Sequence, residues 1–186
     1  MELPTRDPRL SRRLRFLSEL GAGELLATPA GTKRIVSALE DAHALETQAI
    51  ETLTALAESA PDPTLRAALE AHRDETAEIR GRVEATLVAL GRRTSVRKEQ
   101  QAVFAATLKG FTGSLRDGAS PQNLKDWYVT EHSELATFAI LSRAADRLGY
   151  ADIAQLGRDA AASHRAAAET AAGWFDYLVE LMVDAG

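Results

Sequence analysis

Four stretches of this chain, each about 27 residues or longer, repeat apolar side chains at steps of three and four. Each breaks its stripe near the middle with a residue able to ligate a metal. The first (about residues 32–60) reads Ile35, Leu39, Ala42, Glu46, Ile50, Leu53. The second, ending at Gly91, reads Leu65, Ala68, His72, Glu75, Ile79, Val83. The third (about 121–148) reads Leu124, Tyr128, Glu131, Glu134/Leu135, Phe138, Leu141, Ala145. The fourth (about 151–183) reads Ile153, Gly157, Ala160, His164, Ala167/Ala168, Ala171, Trp174, Leu178, Leu181. A chain patterned in this way folds into long helices that bury one face.

The punctuation fits. Pro61-Asp62-Pro63 ends the first helix and starts the second, with Asp62 as cap and Pro63 in the first turn. Ser120-Pro121 opens the third, and Gly149 closes it. Each long helix would span about 40 Å. Short turns make the first two, and the last two, antiparallel hairpins. Between the hairpins lie a basic stretch (92–98) and a further helix over about 95–115, carrying Val103, Phe104, Leu108 and Phe111. Two hairpins joined by one long crossover form the ferritin-like arrangement. The expected fold is therefore an all-α, ferritin-like four-helix bundle with a crossover helix and an N-terminal helical arm. Residues 1–31 would be the arm and linker. Asp7-Pro8 starts a short helix with Leu10, Leu14, Leu17 and Leu20 on one face, and a glycine-rich link over 21–31 leads into the bundle at 32–186.

Composition agrees and narrows the function classes. Of 186 residues, 45% are hydrophobic and 26% charged, which is enough for one globular core. Aromatics at 5% and few prolines favour helices over sheets. The absence of cysteine excludes disulfide frameworks, iron–sulfur clusters and thiolate zinc sites. A net charge of −5 argues against a nucleic-acid surface. No apolar run is long enough for a membrane span or a secretory signal, so a cytoplasmic location with no membrane partner is expected.

The polar breaks carry the chemistry. Midpoints of antiparallel helices stay level, so Glu46, His72, Glu75, Glu131, Glu134 and His164 are expected at one depth in the core. Four carboxylates this close cannot all stay ionised in a dry interior. Two divalent ions would neutralise them. Mixed carboxylate and imidazole ligands suit iron or manganese, with zinc as a further option and no organic cofactor. The alternative is a metal-free layer of hydrogen-bonded acids and histidines. His43, one turn from Glu46, is expected to face outward, and His132 to be peripheral. Tyr128 is a candidate hydrogen-bond partner for a ligand carboxylate.

At these residues the chain resembles the YciE/YciF family of ferritin-like stress-response proteins. The similar stretches are Asp41-Ala-His-Ala-Leu-Glu46, Leu69-Glu-Ala-His72-Arg-Asp-Glu75-Thr76, Glu131-His132-Ser133-Glu134, and the Leu148-Gly149 turn, within about residues 35–171. The resemblance implies a bundle with an extra crossing helix, often dimeric, with a di-metal site. Carried over by position, it implies Glu46, His72, Glu75, Glu131 and Glu134 as ligands. The fourth helix departs from the family, with Ser163-His164 in place of paired glutamates and Ala168 in place of an acid.

Two functions follow as expectations. One is a stress-related di-metal protein that reacts with oxygen or peroxide. The other is a non-enzymatic homodimeric bundle that binds a partner or sequesters metal. The apolar end of the fourth helix, Trp174 to Val183, is expected to contact the arm or a twin subunit. No Ser–His–Asp arrangement or phosphate-binding glycine motif is present.

Overall fold

The computed structural model describes residues 29–92 and 121–184. They form α1 (Pro29–Ser59), α2 (Pro63–Ala89), α3 (Pro121–Arg147), α4 (Ala151–Gly173) and α5 (Phe175–Asp184). The fold is all-α, and no strand occurs among the described residues.

Local chemistry sets the boundaries. Asp62 caps α2, its Oδ1 accepting the backbone N–H of Thr64 at 2.7 Å and of Leu65 at 2.9 Å. Gly91 (φ 73°) and Gly149 (φ 78°) take the left-handed conformation that turns the chain after α2 and α3. α1 begins at Pro29, so the last three residues of the expected linker already belong to the bundle. The expected N-terminal helical arm and the crossing helix lie outside the described residues.

The fourth helix is not continuous as expected. It breaks at Trp174 (φ −91°, ψ 1°), whose N–H turns back to the carbonyls of Ala171 and Ala172. Gly173, a weak helix former, immediately precedes the break.

α1 packs on α2 and α3, and α4 packs on α3 and α2. One apolar cluster gathers Ile35 and Leu39 from the start of α1, Val83 and Leu87 from the end of α2, Leu141 and Ala145 from the end of α3, and Ile153 from the start of α4. The second gathers Leu53 and Leu56, Leu65 and Leu69, Leu124 and Trp127, and Ala171 from the opposite ends. Every neighbouring pair in this ring is thus antiparallel. α2 ends at one end of the bundle and α3 begins at the other, the placement a lengthwise crossover requires. The two clusters leave a slab between them at mid-bundle.

α3 and α4 are in particularly close contact. A Cβ added to Gly157 would lie 2.9 Å from Ser142 Cβ and 3.0 Å from the Phe138 carbonyl oxygen.

Candidate metal centre

The slab between the two apolar clusters holds Glu46 from α1, His72 from α2, Glu131 and Glu134 from α3, and His164 from α4, all buried. Their common depth follows from the helix midpoints, as the stripe pattern indicates. His164 is at the middle of the group. Its Nδ1 lies 3.0 Å from Glu131 Oε2 and 3.3 Å from Glu134 Oε2, and its Nε2 lies 3.1 Å from Glu46 Oε1. Phe138 stacks on its ring at 5.5 Å and 12°, and His72 meets it edge-on at 5.8 Å. Ring orientation is therefore fixed by packing as well as by hydrogen bonds.

Glu131 is the best-satisfied acid. Its Oε1 accepts from Trp127 Nε1 and His72 Nε2, each at 2.9 Å, and its Oε2 faces His164. Burial pushes its carboxyl up, but the hydrogen bonds from His164 and His72 outweigh that and hold it below the usual carboxylate value. Glu134 is the opposite case. Burial, reinforced by the neighbouring Glu131 charge, pushes its carboxyl well above the ordinary range. Neither of its oxygens makes a well-formed hydrogen bond, Oε2 standing 3.3 Å from His164 Nδ1. Glu46 is also raised, chiefly by burial, with the His164 hydrogen bond opposing. Burial alone would lower the His164 pKa. Hydrogen bonds to Glu131 and Glu46 reverse this and raise it to about 10.

Glu75 stands apart from the expectation of an inward position. Its side chain is 62% exposed, with Oε2 3.5 Å from His72 Nδ1. Once His72 points at the bundle axis, helix geometry puts Glu75 about 60° to one side and Thr76 about 40° to the other. Thr76 is the one that is buried, its hydroxyl donating to the His72 carbonyl at 2.9 Å.

Trp127, not Tyr128, is the aromatic that bonds a core carboxylate. Tyr128 sits half-buried, edge-on to His132 at 4.4 Å and to Phe175 at 5.3 Å. The sequence signal for Trp127 was its i,i+4 spacing to Glu131, which brings an indole N–H to the acid. His132 is exposed, as expected. His43, expected to face outward, is instead buried beside Glu84 and Arg80, and burial lowers its pKa.

Two sets of three donors come close enough to hold an ion. His72, Glu131 and His164 form one; Glu46, Glu134 and His164 form the other. In each, the ligand atoms lie within 4.8 Å of one another. Four buried atoms lack hydrogen-bond partners: Glu46 Oε2, His72 Nδ1 and both oxygens of Glu134. Three of the four belong to the carboxylates that a cation would satisfy, so the donor set fits a metal ion. The shared His164 limits the fit, because a neutral imidazole offers one ring nitrogen to an ion. No helix among the described residues is long and apolar enough to cross a membrane.

A solved protein structure from Xanthomonas campestris pv. campestris str. ATCC 33913 is similar, with a TM-score of 0.66 and 22% identity. The match covers 83% of this chain and 97% of that one, and at this identity it speaks for the fold alone. No functionally curated protein matches the chain. Residues 33–182 match the family described as "Domain of unknown function (DUF892)". That span is most of the bundle with its buried acids and histidines, and the chain belongs to the DUF892 family.

Proposed function

We propose that this protein is a ferritin-like metal-binding bundle whose mid-bundle centre takes iron or manganese, with Glu46, His72, Glu131, Glu134 and His164 as ligands. The carrying observation is the set of unpartnered buried atoms. A layer meant to close on itself would not leave both oxygens of Glu134 and one of Glu46 without hydrogen bonds. The resemblance to the YciE/YciF stress-response family supports the reading, and with it a stress-related role.

Each residue has a distinct part. Glu131, held ionised by its N–H donors, is the fixed anion. Trp127 and Phe138 fix the orientations of Glu131 and His164. Glu134 and His164 must each give up a proton before serving as ligands, so loading releases protons. A bound iron or manganese ion would supply the redox chemistry with oxygen or peroxide. The His164 ring shared by the two donor sets favours one tightly held ion per chain, with a second in a weaker position.

A second reading rests on its own observation. Both His164 nitrogens face carboxylates, so a protonated ring donating to Glu131 and Glu46 would serve as the internal cation of a metal-free layer. Metal analysis of protein purified without chelator, followed by titration with ferrous iron under argon and then in air, separates the two. We expect about one or two ions per chain, proton release on loading, and oxygen consumption. Fewer than about one ion per chain after careful loading refutes the metal centre. Metal bound without oxygen or peroxide consumption leaves a sequestering role. The exposed Phe175, Val179 and Val183 on α5 support a homodimer contact, which light scattering tests.

A further inference from the structure

Glu75 lies just outside the buried layer, at the seam between α2 and α4. Ser163 from α4 reaches across and donates its hydroxyl to Glu75 Oε2 at 3.2 Å. The same oxygen is 3.5 Å from His72 Nδ1. His72 therefore has two faces. Its Nε2 bonds Glu131 inside the layer, while its Nδ1, buried and without a hydrogen bond, is turned to Glu75. About two turns along the same seam, Arg82 and Asp159 pair at 2.8 Å and brace the helices.

We propose that Glu75 and His72 Nδ1 form an outer capture point that admits a hydrated divalent cation to the mid-bundle centre. This rests on the metal-centre reading above. Two ligand atoms each about 2.1 Å from an ion and at a tetrahedral angle lie about 3.4 Å apart. The Glu75 and His72 atoms already have that separation. Exposure leaves the Glu75 carboxylate open to solvent, so it can meet a cation that still carries water. The Ser163 hydroxyl donates to the carboxylate and biases it towards the seam. His72 then links capture to storage, because the other nitrogen of its ring already contacts a core acid. Glu75 belongs to neither buried donor set, so the proposal gives it a passing contact with the ion.

The test follows cobalt(II) uptake by the full-length, chelator-stripped protein in a stopped-flow spectrometer, reading ligand-field absorbance. Glu75→Gln keeps the shape and a hydrogen-bond acceptor for Ser163 but removes the charge, at an exposed position where folding is not at stake. The expected result is uptake slowed about tenfold, the lower end of what local charge contributes to association rates. End-point stoichiometry and final spectrum should match the wild type. Ser163→Ala should slow uptake less. An unchanged rate in Glu75→Gln overturns the capture point. A lower end-point or an altered spectrum also overturns it, by making Glu75 a resident ligand. Absence of cobalt uptake in the wild type would instead sink the metal centre itself, and the capture point with it.

Discussion

Replacing His164 by glutamine in the chelator-treated protein removes the one group that faces Glu46, Glu131 and Glu134 together. The ring titrates near 10 in the folded protein against an ordinary 6.5, a difference worth about 5 kcal/mol as an upper bound. The sign follows from the direction. A raised folded-state value means the contribution is complete below about pH 6.5 and is lost as pH rises towards 10. Glu46 and Glu134, also raised, lose stability in the same direction from the carboxylate range upward. Glu131, lowered, acts oppositely, and its contribution is lost only as pH falls through the acid range. Between pH 6.5 and 9.5 the wild type should therefore lose up to about 4 kcal/mol. In urea unfolding followed by far-ultraviolet circular dichroism, that corresponds to a midpoint fall of roughly 1.5–2 M. His164→Gln should start about 3–5 kcal/mol lower at pH 6.5, because it strands buried acids, and show a flatter profile above it, the slope that remains coming from Glu46 and Glu134. A wild-type midpoint that stays level across this range would refute the reasoning. So would a variant that keeps the wild-type slope.

Three further outcomes follow from the same geometry. Glu134→Met replaces an acid with two unpartnered oxygens by an apolar side chain of similar size, and should stabilise the metal-free protein by about 1–3 kcal/mol while weakening metal binding. Chemical denaturation and metal titration on one sample check both halves. Trp127→Phe keeps most of the ring packing but removes a donor to a charged acceptor, and should cost about 1.5–3 kcal/mol in the same denaturation assay. Gly157→Ala pushes a methyl group against Ser142 and the α3 backbone, and should cost about 1–3 kcal/mol, seen as a lower melting temperature.

Much of the site could be read from helical phase alone. Glu46, Glu131, Glu134 and His164 interrupt otherwise apolar stripes, and a residue in such a position has nowhere to go but inward. Midpoint arithmetic then set their common depth, because reversing a helix leaves its centre in place. Phase was less decisive where two candidates sit side by side. Leu124 is three residues before Trp127 and four before Tyr128, and both spacings fit a helix. Only tertiary packing decides that the indole turns in. Glu75 and Thr76 present the same ambiguity after His72. There the small threonine, able to satisfy its hydroxyl on its own helix, is the cheaper residue to bury. The break at Trp174 was hidden because the apolar stripe continues through it, and periodicity does not register one residue leaving helical geometry.

The slab of acids and imidazoles between two apolar clusters also bears on how the helices find their alignment. The packed face of α4 includes Ala160, Ala161, Ala167, Ala168 and Ala171, short side chains with little relief against which a neighbour could lock. Beyond the tight seat of Gly157 against α3, sliding α4 by one turn, about 5.4 Å, would meet little resistance on this stretch. It would, however, carry His164 away from Glu46 and Glu131 and into an apolar layer, leaving three carboxylates without their shared imidazole. The polar layer thus keys the bundle along its length by one residue per helix, or two on α3, in addition to the fit of Gly157 against α3.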